Sequence, residues 1–170
     1  MQARNQWLAD VPIAPTGRTV LCVDRDETCA GMLQDAWMQL RFADHLHVVH
    51  SQEEASAFLC TVDVQGRSAP LAAVILDPEA TGEATGAFVR QVRTHYGKDL
   101  VPIMLWSRDS RTYKVLEGRS VESVLSKPMV LRLIQSLDAA CKLRVQHFQP
   151  FAGNSVFEHP NPQPSVGSIA

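Results

Sequence analysis

Two aspartates flank an arginine in the stretch VDRDE, residues 23–27, directly after the short apolar run TVLC. Carboxylates at the end of a strand can hold a metal ion or a phosphoryl group, and an aspartate there can also simply begin a helix. Further along the chain, Asp77, Ser107 and Lys127 each follow another apolar run. A carboxylate, a hydroxyl and an amine suit phosphoryl-transfer chemistry, provided that the fold brings them together.

The apolar runs alternate with segments that have helical periodicity. The predicted strands span 19–23, 46–49, 71–76, 102–105 and 123–125, and the predicted helices span roughly 28–42, 52–60, 84–96, 110–117 and 130–147. This alternation predicts an α/β fold, in which a five-stranded parallel sheet carries helices on both faces. The third and fourth runs are almost entirely apolar, which is typical of central parallel strands.

The residues that follow the predicted strands matter most for function, because ligands of open parallel sheets bind beyond the carboxyl ends of the strands. In chain order, the chemistry-bearing residues in these positions are Asp24, Arg25, Asp26, Asp77, Ser107 and Lys127. Acids, a hydroxyl and a lysine are therefore expected at one edge of the sheet. The combination is far more informative than any one of these residues alone.

The stretches TVLCVDRDE, AAVILDPEA, VPIMLWSRD and SVLSKPM resemble, in this order, the strand-end motifs of receiver domains in two-component response regulators. The resemblance spans about residues 18–147 and implies the flavodoxin-like (βα)5 fold of that family. It implies that Asp77 is the phosphoacceptor, which becomes an acyl phosphate. It also implies that Ser107 and Lys127 contact the phosphoryl group.

The resemblance further implies a Mg²⁺ ion, held by the carboxylates of Asp24, Asp26 and Asp77 and by the backbone carbonyl of Glu79. Arg25, however, stands where receivers usually carry the second acid of an adjacent pair. Charges of +1 and +2 about 5 Å apart repel by roughly 6–7 kcal/mol at an effective dielectric of about 20. A millimolar metal site supplies only about 4 kcal/mol. Three arrangements are open. Arg25 points to solvent while Asp24 and Asp26 hold a weakened metal, or its guanidinium replaces the metal as a partner of anions and pairs with Asp24 or Asp77 at rest. In the third, the site is inert and the domain works without phosphorylation.

A receiver of this kind is a signalling protein and not an enzyme. The resemblance implies an atypical single-domain response regulator that accepts a phosphoryl group from a sensor histidine kinase or a phosphotransfer protein. We expect no output domain after residue 147, so the signal would pass by contact with a downstream protein whose identity the sequence does not reveal. The sequence also permits a homodimer.

Two other functions compete with this interpretation. The first is a receiver-like adaptor that binds partner proteins without phosphorylation. The second is a haloacid dehalogenase-like phosphatase, because DRDET matches the DxDxT motif whose two aspartates serve as nucleophile and general acid. Those phosphatases also need an acidic metal-binding pair after the lysine, and beyond Lys127 the chain offers only Asp138 and Glu158. That function would leave Asp77 without a role.

The composition gives little reason to expect other kinds of partner. A formal net charge of -2 does not favour nucleic acid or a membrane surface. The chain has neither a long apolar stretch nor a secretory signal, so we predict a cytoplasmic protein. We predict an irregular segment at 1–17 and, because prolines are frequent there, a disordered tail at 148–170. The histidines at 45, 47 and 50 lack partners at ligand spacing and are predicted to be surface or packing residues.

Overall fold

The computed structural model describes residues 18–65, 70–97 and 101–143, so the predictions for 1–17 and 148–170 lie outside the described residues. The strands are β1 (Thr19–Val23), β2 (His45–Val49), β3 (Leu71–Leu76), β4 (Ile103–Ser107) and β5 (Ser123–Ser126). The helices are α1 (Glu27–Gln39), α2 (Gln52–Gln65), α3 (Pro78–Thr81), α4 (Thr85–Tyr96), α5 (Ser110–Tyr113) and α6 (Val130–Cys141). Among the described residues, no helix has the length and apolar character needed to cross a membrane.

The five strands form one parallel sheet in the order β2-β1-β3-β4-β5. The predicted flavodoxin-like α/β fold is therefore confirmed. The order reverses at β1, which lies between β2 and β3. The carboxyl ends of β1 and β3 are thus direct neighbours, at the place where open α/β sheets bind their ligands.

Helices cover both faces of the sheet. Buried side chains of α1 and α6, including Leu33 and Leu133, pack on one face against strand residues such as Ile75. Buried side chains of α2 and α4, including Leu59 and Phe88, pack on the other face. All six residues of β3 are buried, as expected for the central strand of a sheet that is covered on both sides.

Two helices end earlier than the apolar pattern predicts. The first stops at Gln39 instead of residue 42, and Arg41 has a left-handed φ of 54°. The last stops at Cys141, and Lys142 has a φ of 52°. Leu143 is nevertheless buried, so the apolar pattern continues into a turn that is no longer helical. The part of the prediction beyond residue 143 lies outside the described chain.

The predicted helix 110–117 is also shorter in the structure. Its first four residues form α5, and Lys114–Leu116 continue as a 3-10 turn. Val115 is exposed and gives this turn no apolar anchor, although Tyr113 and Leu116 pack against the core. In the absence of a full apolar stripe, tertiary packing supports only a short helix.

The packing of α6 can be tested by comparing two leucines on the same helix. Leu133 is 0% exposed and Leu131 is 67% exposed. Leu133→Ala leaves a cavity in the core, so we expect it to lower the free energy of unfolding by about 2–5 kcal/mol in urea titrations. Leu131→Ala, the matched control, should change it by less than about 0.5 kcal/mol. Equal losses in the two variants would contradict this orientation of α6.

Candidate functional site

Asp24, Asp77 and Lys127 each lie one position after the end of a strand, and backbone hydrogen bonds fix their register. The Asp24 N–H donates to the carbonyl of Val49 (2.9 Å), and the Asp77 N–H donates to the carbonyl of Val23 (2.8 Å). The Lys127 N–H donates to the carbonyl of Ser107 (3.0 Å). These bonds extend the sheet's hydrogen-bonding ladder, so the ends of all five strands meet at one edge.

Lys127 links the two central carboxylates. Its Nζ lies 2.7 Å from Asp24 Oδ1 and 2.8 Å from Asp77 Oδ2. The side chains are almost fully enclosed, with exposures of 2% for Lys127, 0% for Asp24 and 2% for Asp77. The ammonium group also lies 5.5 Å from the centroid of the Trp106 ring, within the range of a cation–π contact. The predicted convergence of these side chains is therefore present.

The remaining carboxylate oxygens of this group are unequally satisfied. Asp77 Oδ1 accepts the N–H of Glu79 at 3.0 Å, and Asp24 Oδ1 also accepts the N–H of Asp26 at 2.8 Å. Asp24 Oδ2 is buried and has no hydrogen-bond partner among the described residues. Trp106 Nε1 is likewise buried without a partner there. The described residues thus leave one carboxylate oxygen of this group, Asp24 Oδ2, without a donor.

The ammonium group neutralises only one of the two buried carboxylates, so the three side chains together carry one negative charge. Burial raises the pKa of Asp24, and this effect outweighs the hydrogen bonds from Lys127 and from the Asp26 N–H. Burial acts to lower the pKa of Lys127, but its hydrogen bonds to Asp24 and Asp77 prevail and hold that pKa above the ordinary lysine value. Lys127 therefore remains protonated between the two carboxylates.

Ser107 lies at the same edge and is fully buried. Its Oγ accepts the N–H of Asp109 at 3.1 Å, which orders the start of the loop that leads into α5. Further along this loop, the hydroxyl oxygens of Ser110 and Ser126 lie 2.6 Å apart and join α5 to the end of β5. The segments that carry Ser107 and Lys127 are thus directly connected.

Asp26 has a different environment from the other predicted ligands. Its Oδ1 caps α1 by accepting the N–H of Cys29, and its Oδ2 is hydrogen-bonded to the guanidinium of Arg108. The hydrogen bond from Arg108, followed by that from the Cys29 N–H, holds the pKa of Asp26 well below its usual range. Asp26 is therefore a helix cap and an ion-pair partner, with no oxygen left to act as a general acid.

Arg25 turns outward, which was the first of the arrangements considered from the sequence. Its side chain is 63% exposed, and Nη2 lies 3.7 Å from Glu79 Oε2. Arg108 is similarly open, with 65% exposure. Exposed pairs of this kind contribute only about 0.2–1 kcal/mol, so both guanidinium groups can change partners at little cost.

The three carboxylates predicted to hold Mg²⁺, those of Asp24, Asp26 and Asp77, are not arranged as a metal-binding group. In the described ranges, no group of three or more His, Cys, Asp or Glu side chains is arranged to hold a metal ion. The Lys127 ammonium already contacts an oxygen of both Asp24 and Asp77, and Asp26 is committed to Cys29 and Arg108. The side chain of Glu79 is paired with Arg25, whereas the predicted ligand was its backbone carbonyl, which stays a prediction. Among the described residues, the carboxylates therefore offer no preformed site for a divalent ion.

Two neighbours of the site were not recognised from the sequence. Arg108 directly follows Ser107, but its partner Asp26 is 82 positions away in the chain. His50, predicted to be a surface or packing residue, is exposed and places Nδ1 2.8 Å from the backbone carbonyl oxygen of Asp24. The position of His50 directly after the second strand was the only signal of this contact.

Comparisons with known proteins agree on the fold. No family model and no curated protein matches the chain. A sensor protein from Polaromonas sp. JS666 is 22% identical, with a TM-score of 0.57 over 73% of this chain and 95% of that one. The receiver domain of the Francisella response regulator 1452 is 18% identical, with a TM-score of 0.57 over 74% and 98%. The Mn²⁺-bound form of the response regulator Rcp1 is 14% identical, with a TM-score of 0.57 over 72% and 92%.

Removal of the central ammonium should destabilise the fold. In Lys127→Met, two buried carboxylates lose their counterion, so we expect a loss of about 3–5 kcal/mol at pH 7. Without the hydrogen bond from Lys127, burial raises the Asp24 pKa further, and a raised carboxyl pKa favours the folded state at low pH. The loss should therefore shrink as the pH falls toward about 4–5. Urea unfolding across this range provides the measurement.

The matched control for that variant is Lys114→Met. Lys114 is 60% exposed and pairs with Glu117 on the surface, so its replacement should cost less than about 1 kcal/mol. A loss in Lys127→Met that is no larger than in this control would contradict the bridging role of Lys127.

The two roles of Asp26 can be separated with two substitutions. Asp26→Ala removes both the cap and the ion pair and should cost about 0.5–2 kcal/mol, whereas Asp26→Asn keeps a capping oxygen and should recover most of this loss. Because the folded-state pKa of Asp26 is lowered, the contribution of its charge is present above the ordinary aspartate pKa and is lost as the pH falls through the folded value. Thermal unfolding at neutral and acidic pH measures both effects. If Asp26→Asn is still less stable than the wild type at acidic pH, the charge of Asp26 does not stabilise the fold through its ion pair with Arg108.

Proposed function

We propose that this chain, which has the fold of response regulator receiver domains, accepts a phosphoryl group on Asp77 in a two-component signalling pathway. The donor would be a sensor histidine kinase or a phosphotransfer protein. Receiver folds occur in the signalling proteins that the chain resembles, and this likeness supports a signalling role. The chain would pass the signal on through protein contacts.

The observation that carries this proposal is the hydrogen bonding of Lys127 to both Asp24 and Asp77. A helix cap or a turn aspartate does not require a buried lysine from a distant strand. A phosphoacceptor does, because the charge of the incoming phosphoryl group must be neutralised inside the protein. Ser107, buried at the same edge, supplies the hydroxyl that a phosphoryl oxygen would accept from.

The transfer needs only a nucleophile and correct positioning. A carboxylate oxygen of Asp77 forms a bond to phosphorus while the P–N bond of the donor's phosphohistidine breaks. The imidazole, protonated on its other nitrogen, retains the electron pair and leaves as a neutral ring. Lys127 contacts Asp77 beforehand and needs only to shift toward the new phosphoryl oxygens.

A surface groove next to the site provides a place for the downstream partner. The groove lies between α5, β5 and α6, has a volume of about 630 Å³, and is lined by Arg111, Lys114 and Arg132 among other residues. Because the Ser110–Ser126 contact ties α5 to the end of β5, a shift of the Ser107 loop would alter the wall of this groove. Lys114 is paired with Glu117, another lining residue, so the positive charge of the groove comes from Arg111 and Arg132 and favours an acidic partner.

The non-phosphorylated adaptor remains the second candidate, and one observation favours it. The ion pairs Arg25–Glu79 and Arg108–Asp26 join the loops after β1, β3 and β4 across the edge where a donor must approach. An adaptor would use the groove beside β5 without any change at Asp77. The two candidates differ in whether Asp77 gains a phosphoryl group.

The phosphoacceptor role is tested by mass spectrometry of the intact protein. After incubation with acetyl phosphate, we expect an adduct of about 80 Da, the mass of one phosphoryl group. Asp77→Asn should abolish it because the amide is not a nucleophile, and Asp138→Asn, the control on the exposed face of α6, should retain it. Absence of the adduct with and without Mg²⁺ would contradict phosphorylation and favour the adaptor.

A further inference from the structure

Two arginines flank the candidate phosphoacceptor pocket at its open edge. Arg25 pairs with Glu79, the residue whose N–H is bonded to Asp77 Oδ1. Arg108 directly follows Ser107 and pairs with Asp26, the residue whose N–H is bonded to Asp24 Oδ1. Each guanidinium is therefore linked to a buried carboxylate through one intervening residue. Glu79 links Arg25 to Asp77, and Asp26 links Arg108 to Asp24.

The charges at this edge are already almost balanced. The acids are Asp24, Asp26, Asp77 and Glu79, and the cations paired with them are Lys127, Arg25 and Arg108. Four negative and three positive charges leave a single negative charge in all. A divalent cation would add two positive charges to an edge that already holds an ammonium and two guanidinium groups, and their repulsion would weaken its binding.

A phosphoryl group would find better partners there. A guanidinium offers a planar fork of N–H donors that matches two oxygens of a phosphoryl group, and a doubly charged phosphoryl group attracts it more strongly than one carboxylate does. Both arginine side chains are more than half exposed and held only by surface pairs, so they are free to rotate toward the pocket. The same residues that disfavour a metal ion therefore suit the anion.

We infer that Arg25 and Arg108 replace the divalent cation in this pocket, so that a phosphoryl group is accepted on Asp77 without metal. This inference rests on the proposed function. With acetyl phosphate, an Asp77 oxygen forms the new O–P bond, the P–O bond to the acetyl group breaks, and acetate leaves with the electron pair. Lys127 and the two guanidinium groups hold the phosphoryl oxygens, and no proton or further reactant is needed.

The test compares phosphorylation by acetyl phosphate in EDTA and in Mg²⁺, followed by intact-protein mass spectrometry. The wild-type yield in EDTA should be within about twofold of that in Mg²⁺. In EDTA, the double variant Arg25→Ala/Arg108→Ala should give at least about tenfold less adduct than the wild type, a difference equivalent to about 1.4 kcal/mol. Arg119→Ala, an exposed arginine in the turn before β5, is the matched control and should retain the yield. The pair Arg25→Gln/Arg108→Gln repeats the test if the alanine variant folds poorly.

The outcomes separate the two claims. An adduct that forms only with Mg²⁺ would overturn the metal-free inference and leave phosphorylation of Asp77 standing. A metal-free adduct that persists in both arginine double variants would overturn the role of these side chains. Absence of any adduct in either condition would contradict the proposed function itself.

A binding measurement without a phosphodonor gives an independent readout. Mn²⁺ broadens amide NMR signals close to the place where it binds. We expect the backbone N–H signals of Asp24, Arg25, Asp26, Asp77 and Glu79 to keep their intensity relative to the rest of the protein as Mn²⁺ is added. Selective loss of these signals at less than one equivalent would overturn the inference. Such a loss in the arginine double variant alone would support it, because the repelling charges are then gone.

Discussion

The organisation of this protein depends on one cation shared by two buried carboxylates. Each ion would be costly to remove from water alone, and the three are tolerated only because Lys127 contacts Asp24 and Asp77 together. This arrangement requires β1, β3 and β5 to end at the same level of one sheet edge. The fold and the site are thus interdependent, since a shift of any one of these strands would separate the charges.

The remaining features of the site follow from this buried group. One ammonium cannot neutralise two carboxylates, so the group keeps a negative charge, and Asp24 Oδ2 finds no partner in the part of the chain that the structure describes. Trp106 covers the ammonium with its ring instead of competing for its hydrogen bonds. The acids nearer the surface, Asp26 and Glu79, are each neutralised by an arginine from a neighbouring loop. The buried carboxylates by themselves would attract a cation, and the feature that suits this edge to a phosphoryl group is the pair of guanidinium groups beside them.

The sheet, its strands and the meeting of Asp24, Asp77 and Lys127 could be predicted because they follow from local patterns and from the geometry of parallel strands. The ends of the first and last helices could not, since Arg41 and Lys142 leave the helix in left-handed conformations that the apolar pattern does not encode. The pairing of Arg108 with Asp26 was equally hidden, because it joins two loops that are distant in sequence. Asp26 fits both a helix cap and a metal ligand by residue type, and only its surroundings distinguish them.

The most direct test of the central ion group is the protonation of Lys127, followed by NMR of its Nζ and Cε signals as the pH is raised. Hydrogen bonds to two enclosed carboxylates hold its pKa above the ordinary lysine value, so the ammonium should persist to a higher pH than that of a lysine in a short unstructured peptide measured alongside. If Lys127 instead loses its proton at the same pH as the peptide lysine or at a lower one, its amine does not lie between Asp24 and Asp77, and this account of the site is wrong.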